Sequence, residues 1–211
     1  MKVVIVENQA MYREVLRKIC EQECGFMVVG TAGDATAGTA LVHEYKPEIL
    51  ILDIGLLGEK DGFAVVEATA AQRPAPRVLV LSSHVREYVV ARCEQLHVAG
   101  FLDKSCDNLA TVPLALAALA QGRTSYSAAY KEAKLAWLRD PCAVAKRLTD
   151  MEQKILPLIA HGLTNDEISA HAGCAATTVK RHRSEILRRL NLPSTPKLMA
   201  FALARGFGML R

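Results

Sequence analysis

Five side chains in the first half of this 211-residue chain have the types needed to pass a phosphoryl group onto a carboxylate: Glu7, Asn8, Asp53, Ser82 and Lys104. A carboxylate accepts such a group when a divalent cation neutralises the oxygens and a fixed cation and a hydroxyl hold what is transferred. Asp53 is then the nucleophile, Glu7 and Asn8 the metal side, Ser82 the hydroxyl and Lys104 the counter-charge. Each has a plainer meaning alone: an Asp at a strand end commonly caps a helix or shapes a turn, and a lone loop Lys is commonly solvated. A second set of residues carries different chemistry. Residues 177 to 191 hold five Lys or Arg against one acid, with Thr177, Lys180, Arg181, Ser184 and Arg188 at spacings that make one helical stripe.

The elements that must position the first set are short aliphatic runs at Val3 to Val6, Met27 to Val29, Ile49 to Leu52, Val78 to Leu81 and Gly100 to Leu102. Between them lie helical periodicities. Met11, Val15, Leu16 and Ile19 share one face in the first, and Leu109, Leu114, Ala117 and Ala118 do so in the last. Five strands alternating with five helices predict an α/β domain whose parallel sheet is covered on both faces. Chemistry in such a sheet belongs at the carboxyl ends of the strands. Those ends are Glu7 and Asn8, Asp53, Ser82 and, past the fifth strand, Lys104. Four strands thus deliver the candidate residues to one edge.

The runs VVIVENQAMYREVLRKI, PEILILDIGLLGEKDGF, VLVLSS and GFLDKS resemble the receiver domain of two-component response regulators over about residues 1 to 122. The resemblance implies a flavodoxin-like (βα)5 fold with strand order 2-1-3-4-5 and phosphorylation of Asp53 by a histidine kinase. It also implies Mg²⁺ held by Asp53, the Glu7 and Asn8 pair and the carbonyl of Gly55, and it gives Phe101 the place of an aromatic that changes rotamer with the state of the site. Two departures bear on function. The family usually has two acids where this chain has Glu7 and Asn8, so one carboxylate ligand becomes a neutral amide and metal affinity falls. Leu57 stands where a Pro is usual, and the glycine expected eight residues after Asp53 arrives at nine, as Gly62.

Residues 123 to 146 read as a linker with one short helix, carrying Ala128, Ala129, Ala133, Leu135, Ala136 and Trp137 and ended by Pro141. Beyond it the helix signals are legible. Thr149 with Glu152, and Thr164 with Glu167, have the spacing of capping boxes, so helices start near Asp150 and Asn165. Gly162 and Gly173 follow their ends, where a left-handed residue is wanted. Pro157 removes a hydrogen bond inside the first. A third helix runs from about Ala176 to Leu190, with Val179, Ile186, Leu187 and Leu190 inward and the basic stripe outward. A solvated face is the commoner meaning of such a stripe. Its place directly after a helix and a sharp turn is that of a recognition helix.

The tract LTDMEQKILPLIAHGLTNDEISAHAGCAATTVKRHRSEILRRLNL resembles the LuxR/NarL helix-turn-helix without a gap, within about residues 147 to 211. That resemblance implies an all-α four-helix domain which places the Ala176 to Leu190 helix in the major groove of double-stranded DNA. It also implies dimerisation through a final helix at about Pro196 to Arg205. By residue type, Lys180 and Arg181 are the candidates for base edges. Thr177, Thr178, His182, Arg183 and Arg188 suit phosphates, and Ser184 suits either role. Together the two matches resemble the NarL/FixJ class of response regulators.

Charge supports the division. The net +4 splits into −4 over residues 1 to 122 and +8 over 123 to 211, so a polyanion partner is expected for the second part only. The six cysteines form no CxxC pair and no zinc spacing, and they read as reduced thiols. No apolar run nears the roughly 18 to 20 residues that span a membrane, and the N-terminus has no export signal, so a cytoplasmic, membrane-free regulator is expected. An enzyme is disfavoured by the lack of a Gly-rich phosphate loop, a nucleophile elbow or a Cys/His cluster. The remaining alternative is a transcription regulator whose receiver signals by dimerisation, a ligand or a partner protein without phosphate.

Overall fold

The computed structural model describes residues 1–56, 62–69, 72–141 and 143–207. Leu57, and with it the lengthened loop after Asp53, lies outside the described residues, as does Cys142. Contacts divide the chain into two compact units, the first built on Met1–Val85 and Arg92–Glu132, the second on Arg86–Ala91 and the helices from Ala133 onward. The division falls within two helices, Glu87–Gln95 and Ala128–Arg139.

In the first unit, β1 (Lys2–Val6), β2 (Met27–Ala32), β3 (Ile49–Asp53), β4 (Arg77–Ser82) and β5 (Gly100–Asp103) alternate with α1 (Ala10–Lys18), α2 (Ala35–Tyr45), α3 (Gly62–Thr69), α4 (Glu87–Gln95) and α5 (Thr111–Ala120). All the strand pairs are parallel, and the order is β2-β1-β3-β4-β5-β6. The sixth strand, β6 (Ser125–Tyr126), was not legible as a strand: two residues from the stretch read as linker pair with Gly100 and Phe101. Both faces are covered, as a parallel sheet requires. Val3, Ile5, Ile51, Leu79 and Leu81 pack with Leu16, Ile19 and the α5 residues Val112, Ala115, Leu116 and Leu119, and Val4, Val6, Leu50, Leu52 and Val80 are buried too.

Two helix faces differ from the sequence reading. Met11 is 83% exposed, and α1 buries Leu16 instead, with Ile19 and Cys20 in the helical turn that continues it. In α5 the buried face is Val112, Ala115, Leu116 and Leu119, while Leu114 is 72% exposed. Thr111–Ala120 is aliphatic nearly all round, so periodicity alone could not choose its inward face. Cys20 is buried, and that burial pushes its thiol up to about 12, which makes it a poor nucleophile.

The second unit continues α6 (Ala128–Arg139) into α7 (Val144–Arg147), α8 (Asp150–Ala160), α9 (Asn165–Ala172), α10 (Ala176–Leu190) and α11 (Thr195–Ala204). Both expected capping boxes are formed, Thr149 with Glu152 and Thr164 with Glu167. Gly173, at φ 64°, supplies the left-handed turn between α9 and α10, and Asn191 does the same after α10 at φ 56°. Pro157 is accommodated within α8 without ending it. Ile155, Leu156, Ile159, Ile168, Val179, Ile186, Leu190, Leu198 and Ala202 are among the buried apolar residues of this unit, whereas Leu187 is only half-buried.

Candidate functional site

Register brings the candidate residues of the first unit together. Val6 pairs with Leu52, so Glu7 follows β1 beside Asp53 at the end of β3. Asp53 pairs with Leu81, and Ser82 with Asp103, which puts Ser82 and Lys104 at the same edge. The Lys104 amide donates to the Ser82 carbonyl at 2.9 Å, fixing where the lysine leaves β5.

The Lys104 ammonium donates to Glu7 Oε2 at 2.6 Å and to Asp53 Oδ2 at 2.9 Å, so one cation spans two carboxylates separated by 46 positions in sequence. The remaining oxygens are engaged by backbone: Gly55 N–H donates to Asp53 Oδ1 at 2.8 Å, and Gln9 N–H to Glu7 Oε1 at 3.0 Å. Glu7 is fully buried, and burial raises its carboxyl above the ordinary value despite the hydrogen bond from Lys104. Burial also works against the Lys104 charge, but the hydrogen bonds to Glu7 and Asp53 outweigh it and the ammonium is held above its ordinary value. Two carboxylates facing one lysine leave the cluster with excess negative charge.

Asn8 donates from Nδ2 to the Gly55 carbonyl at 3.0 Å, and its Oδ1 is buried with no hydrogen-bond partner. An orphaned acceptor beside a backbone carbonyl and two carboxylates is a set of hard oxygen donors, which fits a magnesium ion with one negative charge fewer than two acids would give. The Ser82 hydroxyl accepts from His84 N–H at 3.0 Å and donates to the His84 carbonyl at 3.2 Å, so it closes the turn after β4 at the rim of the site. Gly62 stands tight against the end of β3. A Cβ there would stand 2.6 Å from the Asp53 carbonyl oxygen and from Ile54 Cα, a distance only glycine permits.

Phe101 is fully buried on β5. Its ring stacks on Tyr130 at a centroid distance of 4.8 Å, and Tyr130 stacks in turn on Tyr126 at 5.0 Å. Sequence reasoning missed both tyrosines, since they lie in the supposed linker. It also missed Tyr12, whose ring lies 4.9 Å from the Lys104 ammonium. Tyr12 sits on the first turn of α1, just after the Glu7 and Asn8 pair, so its position at the strand edge could have been read from spacing.

In the second unit, Thr177, Lys180, Arg181, Ser184 and Arg188 are exposed along α10, forming the stripe that their spacing predicts. Thr178, His182 and Arg183 are half-buried at its margins. The Ser184 hydroxyl donates to the Lys180 carbonyl, and Arg188 pairs with Glu185 at 2.8 Å while staying 71% exposed. Arg183 differs from the rest: it donates from Nε to Asn165 Oδ1 and from Nη2 to the Leu163 carbonyl, each at 3.1 Å.

The chain thus joins a parallel α/β sheet with a carboxylate–lysine cluster at its edge to a helical unit with a basic exposed helix. Residues 3–112 match the response regulator receiver domain, and residues 146–202 match the bacterial regulatory proteins of the luxR family. The chain belongs to the response regulator receiver family, with a luxR-family module as its second unit. It is 27% identical over 221 aligned residues to the oxygen regulatory protein NreC of Staphylococcus aureus (strain JH9), covering 97% of this chain and 98% of that one. Among solved structures it resembles RcsB of Salmonella enterica serovar Typhimurium bound to promoter P1flhDC, with TM-score 0.72 and 22% identity over 97% of this chain and 98% of that one. The same protein bound to promoter rprA gives TM-score 0.69 at 23% identity over 95% and 97%. No helix among the described residues is long and apolar enough to cross a membrane.

Proposed function

We propose that the chain is a DNA-binding transcriptional response regulator, in which phosphorylation of Asp53 by a histidine kinase controls a helix-turn-helix that binds in the major groove as a homodimer. The observation that carries this reading is the Lys104 bridge between Asp53 and Glu7 at the carboxyl edge of the sheet. An Asp53 oxygen forms the new bond to phosphorus as the bond from phosphorus to the donor histidine nitrogen breaks. The Gly55 N–H and the Lys104 ammonium, already on the Asp53 carboxylate, orient it for that attack. Lys104 is the counter-charge for the added phosphoryl oxygens, and the Ser82 hydroxyl, rotating off the His84 carbonyl, donates to one of them. Glu7, Asp53, Asn8 Oδ1 and the Gly55 carbonyl would hold Mg²⁺, which when bound supplies charge neutralisation for the phosphoryl oxygens. The Asn8 amide already donates to the Gly55 carbonyl, and that oxygen keeps a second lone pair for the ion.

In the second unit, Lys180 and Arg181 read base edges, while Thr177, Thr178, His182 and Arg188 hold phosphates and Ser184 serves either. NreC and RcsB support a regulator of this layout. The domain limits that go with it are a receiver over 1–122, a linker over 123–146 and a DNA-binding domain over 147–211, in a chain that works in the cytoplasm.

One observation favours a second reading, a receiver that signals without phosphate: a neutral Asn8 amide stands on the metal side and donates to the Gly55 carbonyl there. Incubation with Mg²⁺ and acetyl phosphate, followed by intact mass, separates the two. One added phosphoryl group that is lost in Asp53→Asn supports the first, and no adduct, or one that survives the substitution, supports the second.

A further inference from the structure

Arg183 lies on the recognition helix and is basic, which by residue type makes it a phosphate contact. Its geometry is different. The guanidinium is turned from solvent toward the α8–α9 connection, where it donates to the Leu163 carbonyl and to Asn165 Oδ1 at 3.1 Å each. Leu163 lies outside both flanking helices, and Asn165 is the first residue of α9. The middle of α10, where Arg183 stands, is thereby tied to the start of the preceding helix. A cation at a helix N-terminus is normally disfavoured by the exposed N–H dipoles. Here Asp166 and Glu167 in the first turn offset that field, and the two bonds are to specified acceptors. Partial burial disfavours the charged form of the guanidinium, a cost that two hydrogen bonds offset.

We infer that Arg183 is a positioning residue for DNA recognition, setting the angle of α10 against α9 through Asn165 and Leu163, and that it does not bind phosphate. The inference rests on the DNA-binding reading above. A planar fork with two fixed donors suits this task, and a lysine, with one flexible ammonium, cannot satisfy both acceptors in the same geometry. The consequence is asymmetric. Tilting α10 moves Lys180 and Arg181 off base edges, a contact that tolerates little displacement, while phosphate contacts are regained by small side-chain shifts.

The test measures binding of the full chain to two duplexes, one of random sequence and one selected by the wild-type protein from a random pool, over a range of salt. Arg183→Ala, Arg183→Lys and Asn165→Ala are compared with Arg188→Ala, with helical ellipticity recorded for each. Arg183→Ala and Arg183→Lys are expected to lose about tenfold on the selected duplex. Their loss on random DNA is much smaller and their salt slope unchanged. Asn165→Ala, which removes no charge, is expected to shift in the same direction and to carry the test if an Arg183 variant loses helicity. Arg188→Ala should weaken both duplexes alike and flatten the slope by about one. A slope flattened by about one in Arg183→Ala, with equal loss on both duplexes and full binding kept by Arg183→Lys, would overturn the positioning role. Absence of salt-dependent binding by the wild type would instead overturn the DNA-binding reading, and this inference with it.

Discussion

The Tyr130 ring lies on the Phe101 ring at 4.8 Å, and the Tyr130 hydroxyl donates to Glu94 Oε1 at 2.9 Å. Phe101 is three residues before Lys104, so the first turn of α6 is fastened to the strand that carries the site's cation. Any shift of Phe101 must move Tyr130 or leave a void beneath it. Tyr130→Phe keeps the stack and removes the hydroxyl, leaving Glu94 one donor poorer, at a cost of about 1 kcal/mol. Amide exchange in the first turn of α6 should then quicken roughly fivefold. Unchanged exchange there would show that the hydroxyl contributes nothing to holding α6.

Glu7 gives a prediction of opposite sign. Its carboxyl sits above the ordinary value because burial costs the charged form more than Lys104 returns. A group raised in the fold favours folding below its unfolded pKa, and that advantage is lost as pH rises through the folded value. At neutral pH the Glu7 charge is therefore a burden. Glu7→Gln leaves Lys104 paired with Asp53 alone and should stabilise the protein by about 1 kcal/mol in urea at pH 7 while weakening Mg²⁺ binding. The gain should fade as pH is lowered through the raised folded value and the wild-type carboxyl takes up its proton. A destabilised Glu7→Gln would mean the Lys104 bridge outweighs the burial cost.

In the proposed function Asn8 belongs to the metal side. Asn8→Asp restores a second negative charge and removes the donor that holds the Gly55 carbonyl. Mg²⁺ affinity measured by calorimetry should rise about tenfold. Equal affinity in the two proteins would remove Asn8 from the metal site.

The capping box at α9 predicts a pH effect in the second unit. Glu167 is held below the ordinary carboxylate value, first by the Thr164 N–H and then by the Thr164 hydroxyl. Its stabilising effect is present above its unfolded pKa and is lost as pH falls through the lowered folded value. An NMR titration should find Glu167 titrating below an exposed glutamate, and Thr164→Ala, which removes the hydroxyl and keeps the N–H, should bring it part of the way back. The same substitution should cost about 1 kcal/mol of stability. A normal Glu167 titration in the wild type would contradict the box.

Why some of this was legible in sequence and some was not has physical causes. The strand ends Glu7, Asp53 and Ser82 were readable because a parallel sheet aligns its carboxyl ends, and the α10 stripe because caps at Thr149 and Thr164 and the turn at Gly173 set helix phase. The inward face of α5 was not, since Leu114 and Leu116 are equally apolar and only packing chooses between them. Arg183 was assigned with the phosphate-binding residues because charge and spacing do not reveal that its partners are Asn165 and the Leu163 carbonyl. Likewise β6 and Tyr130 could not be found from local pattern, because a two-residue strand has none and the stack on Phe101 is a long-range contact.

The central claim is that the phosphoryl state of Asp53 governs DNA binding, and the most direct test is the affinity of the full chain for its selected duplex before and after acetyl phosphate and Mg²⁺. The account predicts a changed affinity that follows the fraction of phosphorylated protein and is absent in Asp53→Asn. The same affinity in phosphorylated and unphosphorylated protein, or the same change in Asp53→Asn, would contradict it.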